Sequence, residues 1–161
     1  MTTPMTMTRQ ILFVLLVLGA CASTSQAAAT CDISSSSSAF GNYDSIGNQD
    51  RDTSAVISIT CSGNAGDAVS YTISLSSGSG PYSNRQLVSA AGSLNYNLFT
   101  DIARSQVWGD GAAATATVGD SYTMSVSPST RDYTIYGRIP AGQTQAMPGA
   151  YSDSIVMTLV Y

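Results

Sequence analysis

The sequence predicts an all-β sandwich, and three observations carry that expectation. Glu and Lys, both good helix formers, are absent from the 161 residues. Ser, Thr, Gly, Val, Ile and Tyr dominate, which suits strands and turns. Short runs of alternating apolar and polar side chains recur, separated by Gly, Ser, Asn and Pro, and no segment sustains a helical period. Strands of that length and spacing pack as two facing sheets.

The first residues stand apart from this domain. The apolar run ILFVLLVL, Ile11 to Leu18, follows a single charge, Arg9. It falls far short of the roughly 20 residues a membrane-spanning helix needs. SQA at Ser25 to Ala27 fits the small-x-small rule for signal peptide cleavage. Residues 1–27 therefore read as a secretory signal peptide and residues 28–161 as the exported domain. Cleavage after Ala29 is a close variant. LGAC, Leu18 to Cys21, resembles a lipoprotein box, which would leave Cys21 lipidated; the ordinary site just beyond it favours plain secretion. No membrane span remains in the mature chain on either route.

Both routes also leave Cys31 and Cys61, an even pair in an exported protein, so a disulfide between them is expected. In the chain-entropy model, closing such a loop contributes about 3.6 kcal/mol. A metal site is a poor alternative, because the sequence holds no His to join two thiols.

After Cys31, SSSSS (Ser34 to Ser38) reads as a polar, irregular first strand or edge, followed by the apolar AFGNY. NQDRD, Asn48 to Asp52, spaces oxygen ligands like the start of a calcium loop. Thr53 and Ile59 occupy the places where such a loop needs Gly and an acid, so a solvated turn is expected. AVISITC (Ala55 to Cys61) is a strand that ends at the second cysteine. AVSYTISLS (Ala68 to Ser76) has the clearest period of two, with Val69, Tyr71, Ile73 and Leu75 on one face. RQLVS and SLNYNLFT follow the break at GSGPYS, and QVWGDG ends a segment in a tight turn. ATATV, YTMSV and DYTIYGRI are three further predicted strands. The last is YSDSIVMTLVY, Tyr151 to Tyr161, where Ile155, Met157, Leu159 and Tyr161 alternate with Ser154, Val156, Thr158 and Val160. No turn or cap follows it, so its far side calls for a cover that these residues do not supply.

The side chains needed for proton transfer are scarce. Without His there is no Ser-His-Asp arrangement, and without Lys no Schiff base or Ser-Lys pair. Asp101 and Asp110 flank Trp108 and could form a carboxylate pair for a sugar. Asp110, however, lies in a GDG turn, and Trp108 reads as a core residue. The sequence is therefore not that of an enzyme, and it implies no cofactor and no metal. Without Arg9, five Arg face ten Asp, a net charge of 5 − 10 = −5. That balance argues against nucleic acid.

The segments FGNYD, ISITCSG, YTISLSSG, LNYNLFTD, VWGDG, YTIYGRIPAGQ and GAYSDSIVMTLVY run in order from Cys31 to Tyr161. In that order the chain resembles the spore coat protein U domain family, which includes subunits of archaic, Csu-type chaperone–usher pili. The resemblance implies an immunoglobulin-like β-sandwich that is incomplete, lacking its last strand. It implies that another chain supplies that strand, first a periplasmic chaperone and then a neighbouring pilus subunit, with an outer-membrane usher as a further partner. Ile155, Met157, Leu159 and Tyr161 would then line the acceptor groove. Export through the periplasm to the cell surface follows from the same resemblance.

One departure from the family bears on role. Polymerising subunits carry a donor segment before the first cysteine. Here cleavage leaves only Ala28, Ala29 and Thr30, and even CASTSQAAAT has no alternating large apolar residues. The expectation is a subunit that accepts a strand without donating one, at a fibre tip or as a minor component. The alternatives are a stand-alone spore or cell-surface coat protein, or a surface- or glycan-binding adhesin module. SGPY (Ser79 to Tyr82) and AMPGAY (Ala146 to Tyr151) are its candidate contact loops.

Overall fold

In this computed structural model, residues 29–161 are described. The signal-peptide reading of residues 1–27 and the lipidation reading of Cys21 lie outside the described residues. Eight strands follow in order: β1 (Thr30–Ser35), β2 (Arg51–Ser62), β3 (Ala68–Leu75), β4 (Arg85–Ser89), β5 (Gly92–Phe99), β6 (Val118–Thr123), β7 (Ser129–Ile139) and β8 (Met157–Val160). They form a five-stranded sheet, β1-β2-β7-β5-β4, and a three-stranded sheet, β6-β3-β8. All pairings between these strands are antiparallel. Among the described residues, no helix is long and apolar enough to cross a membrane.

Side-chain alternation builds the core. β2 turns Ala55, Ile57, Ile59 and Cys61 inward, and β3 turns Val69, Tyr71, Ile73 and Leu75 toward them from the other sheet. β5 adds Leu94, Tyr96 and Leu98, and β7 adds Ile135 and Ile139. Fully burying each aliphatic side chain contributes about 1.5–3 kcal/mol, so this period-two pattern fixes the register. Cys31 and Cys61 stand directly opposite each other in the β1–β2 ladder and are joined as a disulfide. Both cysteines are buried, and the bridge pins the edge strand to the long strand beside it.

Two stretches differ from the sequence expectation. ATATV is not a strand of its own: β6 begins at Val118 and ends at Thr123, spanning the end of ATATV and the start of YTMSV. The reason lies in the crossing from β5 to β6. Trp108 N–H donates to Leu98 O at 2.9 Å, Leu75 N–H to Gly109 O at 3.0 Å, and Gly109 N–H to Ala116 O at 2.8 Å. Residues 100–117 thus make a corner between the sheets, plugged by the fully buried Trp108 ring, whose Nε1–H donates to Ile73 O at 3.2 Å. The final strand is also shorter than its pattern. Ser152 pairs with Val88 of β4, and only Met157–Val160 joins β3.

Reducing the Cys31–Cys61 bridge should lower unfolding stability by about 2–4 kcal/mol. Urea unfolding with and without reductant, followed by tryptophan fluorescence, measures this. A Cys31→Ala/Cys61→Ala variant should match the reduced protein.

Candidate functional site

β8 is the edge of its sheet. Its register with β3 runs from Leu75↔Met157 to Thr72↔Val160. In an antiparallel pair, alternate backbone groups point toward the partner and the others point away. Among the described residues, no backbone group hydrogen-bonds to the outward side of β8.

Beside this edge the sandwich is open. The cleft has a volume of about 990 Å³ and runs between residues 35–46 on one wall and residues 146–157 on the other. Leu75, Leu98, Ile135 and Ile139, all core residues, form its floor, so the cleft leads to the hydrophobic interior.

The first wall exists because the chain leaves the β1–β2 ladder after Ser35 yet stays tied to β2. Ser36 Oγ accepts from Val56 N–H at 3.0 Å, Ala39 O from Thr53 Oγ1 at 2.9 Å, and Phe40 O from Arg51 Nε at 2.6 Å. Phe40 packs edge-on against Tyr96, with ring centroids 5.8 Å apart. A Cβ on Gly137 would come within 2.9 Å of the Phe40 ring, so β7 needs glycine there for the ring to lie over it. Tyr43 OH donates to Pro140 O at 2.8 Å and accepts from Gln143 N–H at 3.1 Å, which joins this wall to the loop after β7.

The second wall is anchored by Asp153. One carboxylate oxygen accepts from Ser79 N–H at 3.1 Å and Ser79 Oγ at 2.8 Å, and the other accepts from Tyr96 OH at 2.7 Å. Burial and the bond to Asp153 both push the Tyr96 hydroxyl pKa up, so it stays a neutral donor. Asp153 therefore ties the approach to β8 to the loop after β3 and to β5 of the other sheet.

Below lies Arg85, fully buried and missed at the level of sequence. Its guanidinium donates to Ser76 O at 2.8 Å, Trp108 O at 2.7 Å and Asn97 Oδ1 at 2.7 Å. It also lies over the Tyr82 ring, 5.3 Å from the centroid. Desolvation lowers its pKa, opposed by Tyr96, Tyr82 and Asp153. Guanidinium stays protonated in proteins, so the site carries a buried cation satisfied mainly by carbonyl oxygens.

The four proposed groove residues are placed unequally. Ile155 and Met157 are half-buried and line the cleft. Leu159 is half-buried against the core. Tyr161 follows the last paired residue and is 60% exposed.

The other candidates resolve into structural roles. Asp101 accepts from the backbone N–H groups of Ser105 and Gln106, and Asp110 from that of Ala112. These bonds hold both carboxyls below their usual pKa, each within its own turn. NQDRD is exposed throughout, with Asn48 to Asp50 in the loop before β2 and Arg51 and Asp52 already in the strand. Asp52 pairs with Arg138 through two bonds of 2.7 and 2.9 Å, while Arg104 lies 3.2 Å away and Asp50 also meets Arg138 at 3.2 Å. Arginines take the place a cation would need. Of the candidate contact loops, SGPY tucks Tyr82 inward, its hydroxyl donating to Leu75 O at 3.1 Å. AMPGAY lines the cleft and leaves Met147 58% exposed.

The Spore Coat Protein U domain model matches residues 17–158. Among curated proteins none matches the chain. Among solved structures, the chain is similar to one in the CsuC–CsuE chaperone–tip adhesion subunit pre-assembly complex from archaic chaperone–usher Csu pili of Acinetobacter baumannii. The TM-score is 0.55 at 20% identity, over 83% of this chain and 40% of that one. At that identity the likeness establishes the sandwich fold.

Two outcomes follow from these contacts. Arg85→Met leaves buried carbonyls without donors and should cost about 3 kcal/mol or more in urea unfolding. Asp52 has its pKa lowered, first by its bond to Arg138. The stability it adds is therefore present above the unfolded carboxyl pKa of about 4 and lost as pH falls through the lower folded value. The stability difference between the unaltered chain and Asp52→Asn should be constant near neutrality and should shrink below about pH 4.

Proposed function

The chain belongs to the Spore Coat Protein U domain family, and from that premise we propose that it is a structural subunit of a secreted cell-surface fibre. Assembly takes the chaperone–usher route through donor-strand complementation. The observation that carries this reading is the free edge of β8 beside an open apolar cleft. An extended segment from another chain fits there. Its backbone completes the outward hydrogen bonds of β8, and its alternate side chains fill the cleft.

The energetics favour an occupant. Burying about five apolar side chains of an added strand contributes roughly 8–15 kcal/mol gross, an upper bound. Left open, the same edge invites uncontrolled pairing. A periplasmic chaperone that covers it first, followed by a neighbouring subunit at an outer-membrane usher, answers both facts. The Acinetobacter baumannii structure, a chaperone–tip adhesion subunit pre-assembly complex, supports this choice of partners. Ile155, Met157, Leu159 and Tyr161 are the acceptor residues of this reading, and its location is the cell surface.

The chain acts chiefly as acceptor, at a tip or as a minor subunit. Residues 21–30, CASTSQAAAT, support this, since they lack the alternating large side chains of a donor. The role is structural rather than catalytic, in line with the absence of His and Lys from the sequence.

Co-expression with a periplasmic chaperone of an archaic chaperone–usher system tests the reading. The chain should co-purify with the chaperone, and deletion of residues 154–161 should abolish the complex. Met157→Asp, which places a charge in the cleft, should reduce recovered complex at least about tenfold. Undiminished complex from Met157→Asp, with the sandwich still folded, would sink the proposal.

A further inference from the structure

β8 and the residue before it carry apolar side chains on both faces, with Thr158 the polar member of the outward one. Ile155, Met157 and Leu159 take the inward positions, which leaves Val156 and Val160 on the outward face, 65% and 64% exposed. Nothing on the β3 side covers them. Val160 stands opposite Thr72, and Thr158 between the valines stands opposite Ser74. Val156 O accepts from Ser76 N–H at 2.9 Å, so its neighbour there is again a small hydroxyl residue.

The remaining sheet edges are guarded. β1 carries the exposed Asp32, β6 carries Asp120, and β4 is capped where Val88 pairs with Ser152. Charges and short caps of this kind are how sheet edges avoid pairing. β8 has no charged residue at all. Large apolar side chains on the outward face of a strand belong at positions that a neighbour covers.

Resting on the strand-acceptor reading above, we propose that Val156 and Val160 select the strand that is added to β8. The occupant is an extended segment of another protein, apolar on the face that enters the cleft and also apolar on its outward face opposite these two valines. Side chains directly opposite across an antiparallel or parallel pair lie close enough to touch, about 5 Å between Cβ atoms. A β-branched or aromatic outward residue covers a valine at that distance, whereas Ser leaves it wet.

Two synthetic strand peptides test this, identical at inward positions and carrying either Val or Ser at the outward ones. Each is bound to the full chain, and its dissociation rate is measured. The outward-Val peptide should leave about fivefold more slowly. A Val156→Thr/Val160→Thr variant, which keeps the β-branched shape, should release both peptides at the same rate, and Val160→Thr alone should show an intermediate preference. Equal release from the unaltered chain, or a preference that survives in the double variant, overturns the proposal. Failure of both peptides to bind the unaltered chain overturns the strand-acceptor reading itself, and this inference with it.

Discussion

A backbone donor or acceptor beside an apolar surface must find a partner, and β8 has one on a single side. Its inner edge is satisfied by β3, while its outer edge is unpaired among the described residues. The same strand forms the lip of a cleft that reaches the core. These two deficits coincide in space, and one object corrects both: an extended chain with apolar side chains at every second residue. An isolated peptide group in that position has no comparable alternative once water is excluded. Most other features of the molecule serve to hold this edge in a fixed, receptive geometry.

The holding is done by polar groups set into an apolar body. Arg85 draws the end of β3, the Trp108 corner and β5 together through Ser76, Trp108 and Asn97. Asp153 links the lead into β8 to Ser79 and to Tyr96 in the opposite sheet. Tyr43 and Gln143 tie the other wall to β5 and the loop after β7. A groove walled only by hydrophobic contacts could collapse onto itself. Directional bonds keep it open because closing it would break them, at a cost of about 1 kcal/mol each or more.

Much of this was legible in the residues. The strict alternation of AVSYTISLS placed β3 to within one residue at its end, because a half-buried strand leaves no freedom in which side chains face inward. The pairing of Cys31 with Cys61 was legible by count. The unmet edge of the last strand was legible in SIVMTLV, though the pattern overstated its paired length; Ser152 is diverted to β4. The corner at residues 100–117 was not legible, since its bonds join residues distant in sequence through single backbone contacts. Arg85 was hidden for a related reason. A lone Arg in RQLVS looks like a surface charge, and only the tertiary fold brings three separate oxygens to it. The ion pair of the exposed Asp52 was not legible because its arginine partner lies 86 positions away.

The bridge between β1 and β2 has a mechanical meaning. Cys31 and Cys61 are 30 residues apart in sequence but face each other across one ladder. A force that peels β1 from Thr30 meets the sulfur atoms at the next residue and passes into β2. The intervening segment, which includes the wall at residues 35–46, drops out of the load path. The edge strand then cannot be unzipped one hydrogen bond at a time from its free end. Peeling β1 away therefore means breaking the bridge or dislodging β2, which β7 holds along a ladder of eleven paired positions from Arg51 to Cys61.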